Sequence, residues 1–200
     1  MTNFSTRMMP SGLTAVTLAT VLVMAGCGGG GGDSAPSGPT TQGPLTLSGV
    51  VAARTAAPSR TVDVKCASGT GTATSNSDGS YTVTVTEGQL PCVLRAAGTA
   101  DGDLYSVAYG SGRTATANLT PLTQLVVASM AGGTPATFYG NFGADTAALV
   151  TAARVDAAVS TVQADLTTRG INASGGGNPV TAVLAPAGTP EDVDTHRPGV

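Results

Sequence analysis

The sequence predicts a mainly β protein with a helical C-terminal part, namely an antiparallel β-sandwich of six or seven strands followed by two or three helices. Two patterns carry this prediction. Between residues 45 and 120, apolar side chains recur at every second position, which is the period of a half-buried strand. After Thr120 they recur at helical spacing, and Thr120-Pro121 is a favourable start for a helix.

Short runs rich in threonine and valine supply the strands, since β-branched residues suit a pleated, half-buried surface. Turn-forming pairs such as Asp78-Gly79 and Asp101-Gly102 separate these runs. We expect strands at residues 45–51, 61–66, 70–75, 81–86, 92–96, 104–109 and 114–119, a spacing typical of a sandwich.

Three helical segments are expected after residue 120. Gly132-Gly133 ends the first, Thr134-Pro135 starts the second, and the third runs from about 145 or 151 to Arg169. The predicted helices carry an apolar stripe that is rich in alanine, and such a stripe buries less area per residue than a leucine-rich one. We therefore expect the helices to be less stable than the sandwich. Such a stripe usually packs on the protein's own core, and a groove for a partner is the alternative. The residues expected to bury this face are Leu122, Leu125, Val126, Val155, Val159, Val162 and Leu166.

Residues 1–26 read as a signal peptide. Arg7 supplies a positive charge, and the uncharged stretch Leu13–Ala25 is too short to span a bilayer, which needs roughly 20 residues. The sequence Met24-Ala25-Gly26-Cys27 resembles the bacterial lipobox. That resemblance implies cleavage before Cys27 and attachment of diacylglycerol and palmitate-type chains to it. The alternative is an ordinary signal peptide with an accidental cysteine. Gly28 stands where an aspartate would signal inner-membrane retention, so the resemblance implies the outer membrane.

The remaining chain divides by composition. Residues 27–44 form a Gly/Ser/Pro-rich linker, whose r.m.s. reach is roughly 20–25 Å. The sandwich is expected over 45–120 and the helical segment over 121–170. Residues 171–200 are first rich in glycine and proline and then polar, so we expect a tail of low order in a chain that stops early.

One segment carries a family resemblance. The run Thr72–Val83 looks like the T-x-x-D-G-x-Y/F hairpin of carboxypeptidase-regulatory-like (prealbumin-like) domains, and Ser48-Gly49-Val50-Val51 matches their opening strand. The family's Gly-Ala-x-Val is replaced by Ser59-Arg60-Thr61-Val62. The resemblance covers residues 45–100 and implies a β-sandwich with an accessory or binding role. The segment Asn118–Thr123, followed by a helix, resembles uncharacterised proteobacterial lipoproteins that carry this sandwich.

Cys66 and Cys92 form an even pair in an oxidising compartment, which predicts a disulfide between neighbouring strands with Cα atoms about 5–6 Å apart. A zinc or redox pair is the alternative, but no CxxC spacing or nearby histidine supports it. The alternation of Asn76, Asp78 and Ser80 could begin a calcium loop, yet such a loop needs more carboxylates. We therefore expect no metal and no cofactor.

No catalytic motif is evident. The one histidine, His196, lies in the polar tail, and neither Gly-x-Ser-x-Gly nor Ser-x-x-Lys occurs. Scattered basic residues argue against nucleic acid as a partner, and 4% aromatic residues argue against sugar binding. We expect a non-enzymatic envelope lipoprotein with a binding or structural role, whose partner is the membrane through lipid on Cys27. The alternative is a subunit of an envelope assembly whose helical part docks a partner protein.

Overall fold

The chain forms two packed β-sheets followed by helices, as the sequence predicts. The computed structural model describes residues 43–53, 56–171 and 177–184. The signal peptide, Cys27 and most of the linker lie outside these ranges. The strands are β1 (Leu45–Val50), β2 (Thr61–Ser68), β3 (Thr70–Thr74), β4 (Ser80–Val85), β5 (Gln89–Thr99), β6 (Gly102–Ala108) and β7 (Thr114–Thr116). The helices are α1 (Pro121–Ala131), α2 (Pro135–Gly140), α3 (Ala144–Ala147) and α4 (Ala152–Thr168).

The two sheets have the strand orders β4-β1-β7 and β3-β2-β5-β6. All pairs are antiparallel except β1 with β7, which is parallel and aligns Thr46 with Thr114. This pair departs from the all-antiparallel prediction. The connection from β6 crosses to the other sheet at the end where β1 begins, and the Thr46 amide donates to the Arg113 carbonyl at 2.9 Å. β7 therefore starts beside the start of β1 and runs in the same direction.

The turn at Asp78-Gly79 is present, but it does not close a hairpin. β3 pairs with β2 and β4 pairs with β1, so the turn carries the chain from one sheet to the other. Gly79 has a φ of +83°, and a Cβ there would lie 2.5 Å from the Val51 carbonyl oxygen. Glycine is required here because it adopts a positive φ without strain and has no Cβ to clash with that oxygen. The resemblance to a family hairpin therefore identified the turn correctly and its pairing wrongly.

The main core lies between the two sheets. Alternate residues of each strand face inward, as the period of two predicts. Tyr81 is the one aromatic residue in this core, and its buried hydroxyl donates a hydrogen bond to the Ala117 carbonyl. Burial raises the pKa of Tyr81. The largest aliphatic members of this core are Leu45, Leu47, Val51, Val62, Val64, Val83, Val85, Leu94, Leu104 and Leu119.

A second core lies on the outer face of the four-stranded sheet, where β5 and β6 meet the helices. Val93 and Val107 point away from the sandwich and are fully buried under helical side chains. α1 packs against both β6 and α4. The helical partners of these two valines are Val126, Val127, Met130, Phe138, Val155, Ala158, Val159 and Val162.

Thr123 sets the rotation of α1. In the capping box, the Thr120 hydroxyl accepts from the Thr123 amide at 3.1 Å, and the Thr123 hydroxyl accepts from the Thr120 amide at 2.9 Å. The Thr123 hydroxyl also lies 3.1 Å from the Tyr105 carbonyl oxygen on β6, to which it donates. Thr123 is fully buried. One polar side chain thus starts the helix and fixes which face meets the sheet.

That rotation corrects one expectation. Leu125 was expected to bury an apolar face, yet it is 46% exposed. With Thr123 turned to β6, the inward positions go to Val126, Val127 and Met130, and Leu125 falls on the outside. Leu122 and Leu166 are half-buried, whereas the valines of α4 named above are buried as expected.

Of the two starts predicted for the last helix, about 145 or 151, the later one is correct, and the residues near 145 form a separate short helix. α3 is a single turn, and the chain at Leu149–Thr151 separates it from α4. Thr151 has extended backbone and caps α4 by accepting from the Arg154 amide. The Arg154 guanidinium in turn donates to the Met130 carbonyl at the end of α1, at 3.0 Å. The count is therefore four helices in the described residues, none of them long and apolar enough to cross a membrane.

Part of the C-terminal segment is packed, contrary to the expected tail of low order. Val180 is fully buried in the second core. The Asn118 side chain donates to the carbonyls of Pro179 and Ala182 at 3.1 and 2.8 Å. An isolated valine among glycines and prolines has no apolar period, so the sequence gives no signal of this packing.

The disulfide between Cys66 and Cys92 joins β2 to β5. The two residues are direct partners in the register, and their Cα atoms are 3.8 Å apart, closer than the expected 5–6 Å. The Cys66 amide donates to the Gly69 carbonyl, on the side away from β5. The cysteines therefore form a non-hydrogen-bonded pair, in which opposed residues approach most closely.

We predict that Thr123→Val lowers the free energy of unfolding by about 1–3 kcal/mol, because it leaves a buried carbonyl and a helix amide without their partner. Thr137→Val is the matched control, since Thr134-Pro135-Ala136-Thr137 repeats the same capping sequence on an exposed helix start. It should change stability by about 0.5 kcal/mol or less. Urea unfolding measures both, and equal losses would contradict the role given to Thr123.

We also predict that Cys66→Ala combined with Cys92→Ala destabilises the protein by about 3–4 kcal/mol in the chain-entropy model. The sequence separation of the two cysteines is 26, and the bridge restricts the unfolded chain over that length. Urea unfolding of the double variant, compared with the oxidised native chain, measures the loss, and the native chain in the presence of a reductant should unfold as the double variant does. Identical midpoints for the oxidised native chain and the double variant would overturn the prediction.

Candidate functional site

The residues predicted to carry function lie in different places. Cys27 and His196 are outside the described residues. Cys66 and Cys92 form the disulfide that fixes the register of the four-stranded sheet. Two further surfaces emerge from the tertiary structure, one around Tyr139 and one between α1 and α4.

The Tyr139 cluster consists of Asp63, Lys65, Arg95 and Tyr139. Lys65 Nζ lies 4.3 Å from the centre of the Tyr139 ring and donates to the Tyr139 carbonyl at 3.0 Å. The Arg95 guanidinium carbon lies 5.3 Å from the same centre, and its Nη2 is 2.6 Å from Asp63 Oδ2. Two cations thus hold α2 on the outer face of the sheet through one aromatic ring. In the sequence, the only indication of this cluster is the alternation of Asp63 and Lys65 on β2.

The electrostatics of this cluster keep Arg95 and Tyr139 in their usual protonation states. The hydrogen bond to Asp63 raises the pKa of Arg95. Partial burial, aided by the charge of Asp63, raises the pKa of Tyr139. Elsewhere, hydrogen bonds from the Ser80 hydroxyl and amide lower the pKa of Asp78. Each of these shifts moves the group further from titration at neutral pH, so the cluster serves packing better than proton transfer.

Among the described residues, no group of three or more His, Cys, Asp or Glu side chains is placed to hold a metal ion. Asp78 faces its own turn, where its Oδ1 accepts from the Ser80 amide at 2.9 Å and the Ser80 hydroxyl at 2.7 Å. This is the geometry of an Asx turn. The sequence alternative of a calcium loop at Asn76, Asp78 and Ser80 gains no support from it.

The α1–α4 groove is the apolar candidate site. It has a volume of about 350 Å³ and opens to solvent on the side of the helices that faces away from the sheet. α1 carries no charged residue, and Leu125 presents its side chain to the opening. Asp165 and Arg169 supply charge on the α4 side. The lining residues are Leu125, Ser129, Val162, Asp165, Leu166 and Arg169.

A more polar pocket of about 430 Å³ lies at the end of the sandwich where β1 begins. Gln89, Leu90 and the loop at 110–113 line it. The Arg113 guanidinium donates to the Gly88 carbonyl, so it braces the turn before β5. The pocket is shallow and offers few converging side chains, whereas small-molecule sites combine an apolar lining with several placed polar groups.

Comparison with known proteins adds little. No family model matches the chain, and no curated protein matches it. A solved structure with some likeness is the dioxygenase domain of a dioxygenase carbohydrate-binding protein fusion from the cellulolytic bacterium Streptomyces sp. SirexAA-E. It is 20% identical, covers 42% of this chain and 82% of its own, and has a TM-score of 0.31. A likeness at this level carries no argument about fold or function.

Proposed function

We propose that the protein is a lipid-anchored component of the bacterial cell envelope with a non-catalytic binding or structural role. The observation that carries this proposal is the lipobox-like sequence Met24-Ala25-Gly26-Cys27 at the end of an uncharged stretch, followed directly by a glycine-rich linker. A thioether-linked lipid with several acyl chains would hold the protein stably, since each buried CH₂ contributes about 0.8 kcal/mol.

The structure supports this proposal through the disulfide. Bridges such as Cys66–Cys92 persist in oxidising compartments, among them the bacterial periplasm and the cell surface. A small domain released there must keep its fold without cytosolic chaperones, and one bridge between the central strands helps it to do so. We propose the outer membrane as the site of anchoring, with the body facing the periplasm or the cell surface.

The linker gives the body its position relative to the lipid. Residues 28–44 contain one charged residue, Asp33, and end one residue before β1 begins at Leu45. A chain of this composition and length has an r.m.s. reach of roughly 20–25 Å. The sandwich is therefore presented close to the membrane surface without being inserted into it, as a binding or spacer module requires.

The anchor is tested by Cys27→Ser. We expect the variant to lose incorporation of a labelled fatty acid and to leave the detergent phase, because the thiol is the acceptor of the lipid. Met24→Leu, which restores the commonest residue of the lipobox, is the matched control and should be labelled as the native chain is. A Cys27→Ser chain that still incorporates the labelled fatty acid would contradict the proposal.

A second candidate function is a subunit of an envelope assembly whose helical part docks a partner protein. The exposed Leu125 in the α1–α4 groove favours it. In this groove Leu125 lies beside Val162 and Leu166, so the lining is mainly apolar. On α1 the groove is lined by Leu125 and Ser129, which are four residues apart and so lie on one face of the helix, and such a face suits an amphipathic partner helix.

This second function predicts that Leu125→Asp reduces recovery of a specific envelope protein cross-linked to the native chain by tenfold or more, since a hot-spot leucine typically contributes about 1–2 kcal/mol or more. Ile171→Asp is the matched control, because Ile171 is 53% exposed outside the groove. Stability should change little in either variant. Equal recovery with both variants would contradict docking through the groove.

A further inference from the structure

A short segment after α4 is seated on the body of the protein in the manner of a bound peptide. We call residues 177–182 the strap. Its centre, Val180, is fully buried in the second core, although the strap belongs to no helix or strand. Such complete burial of a loop valine requires a pocket of matching shape in the body.

The body holds the strap mainly by its backbone. Asn118 Nδ2 donates to the carbonyls of Pro179 and Ala182, and the Asn118 amide donates to the Val180 carbonyl at 2.9 Å. Gln163 Nε2 on α4 donates to the Gly177 carbonyl at 3.1 Å. Asn118 itself is anchored to β1, because its Oδ1 accepts from the Val50 amide at 3.2 Å.

Two side chains of the strap are recognised individually. Val180 fills the apolar pocket. Asn178 Nδ2 lies 2.8 Å from the Tyr109 hydroxyl oxygen and 3.1 Å from Asp156 Oδ1. Asn178 also shapes the strap itself, since its Oδ1 accepts from the Val180 amide at 3.0 Å and its carbonyl accepts from the Ala182 amide at 2.8 Å. The strap is therefore a locally closed turn that directs two side chains, Asn178 and Val180, into the body.

Many peptide-binding proteins hold their ligand in the same way. Hydrogen bonds to the peptide backbone give affinity, and pockets for individual side chains give specificity. We propose that the groove formed by Tyr109, Asn118, Asp156 and Gln163 is a peptide-binding site for an Asn-Pro-Val segment. One copy of the chain fills it with its own strap, and the strap of a second copy can fill it in turn.

A second copy is the occupant that the structure favours, because it carries the one sequence shown to fit the groove. Exchange of a short element between identical chains adds no new contacts and is an economical route to a dimer. Crowding of copies on one membrane would raise the local concentration of straps and favour exchange. That last step rests on the proposed lipid anchor, whereas the groove and its ligand do not.

The first test adds a fluorescent peptide with the sequence of residues 177–184 to the full-length chain carrying Val180→Asp, purified in detergent. The buried carboxylate expels the variant's own strap and leaves the groove open. We expect saturable binding by fluorescence anisotropy, weaker binding to the native chain, and binding at least about tenfold weaker for a peptide with Asp at the valine position.

The second test mixes the Val180→Asp chain with native chain and uses native mass spectrometry. We expect a heterodimer in the mixture and none in the Val180→Asp chain alone, since only the native chain donates a strap. Absence of peptide binding would overturn the groove as a peptide site. Peptide binding without a heterodimer would overturn the second copy as its occupant. Both readouts use detergent-purified protein, so loss of lipid at Cys27 leaves them unaffected.

If circular dichroism shows that Val180→Asp does not fold, Asn178→Ala replaces it, because it removes the strap's hydrogen bonds to Tyr109 and Asp156 while Val180 keeps the core intact. The added peptide then competes with a weakened strap and should bind more tightly than it does to the native chain. Tyr109→Phe on the groove side removes one hydroxyl partner of Asn178. We expect it to weaken the native-sequence peptide several-fold and to leave a peptide carrying Ala at that position unchanged. Equal effects on both peptides would contradict the assigned contact.

Discussion

Strands β5 and β6 of the four-stranded sheet are buried on both faces, and the remaining architecture follows from that constraint. Cys92–Leu94 on β5 and Leu104–Ala108 on β6 are continuously buried, whereas a strand with one wet face would alternate. Leu94 and Leu104 require a layer on one side, and Val93 and Val107 require a layer on the other. The three-stranded sheet supplies the first layer and the helices supply the second. The sheet therefore needs the helices, because they cover the apolar residues on its outer face.

Buried polar groups join these layers, because each must find a partner where water is excluded. Thr123 connects the start of α1 to the edge of β6 through the Tyr105 carbonyl, which also satisfies a carbonyl on an edge strand. Asn118, five residues earlier, connects β1 to the strap. Asn118 lies in the segment that links β7 to α1, and Thr123 lies in the first turn of α1. One short stretch of chain thus fixes the helix, the sheet edge and the C-terminal segment relative to one another.

The two external features that bear on function follow from the same packing. Because the inner face of α1 is committed to β6, Leu125 is turned outward and becomes the apolar element of the α1–α4 groove. Because the strap fills a pocket with Val180 alone, its retention depends on a few hydrogen bonds and one side chain, and segments with so little burial are the first to open. An apolar groove and a peptide-filled groove are suited to contacts with proteins, which the proposed lipid anchor would place at a membrane.

The sequence by itself determined what depends on near neighbours. Short stretches of sequence predict the period of two before Thr120, the helix start at Thr120-Pro121 and the turn at Gly79. The pairing of Cys66 with Cys92 could be predicted because they are the two cysteines that remain when Cys27 is set aside. Tertiary structure alone decided what depends on distant partners. The parallel pairing of β7, the outward position of Leu125 and the insertion of Val180 arise because a sheet edge, a β6 carbonyl and a pocket far along the chain compete for those residues, and no local pattern encodes such partners.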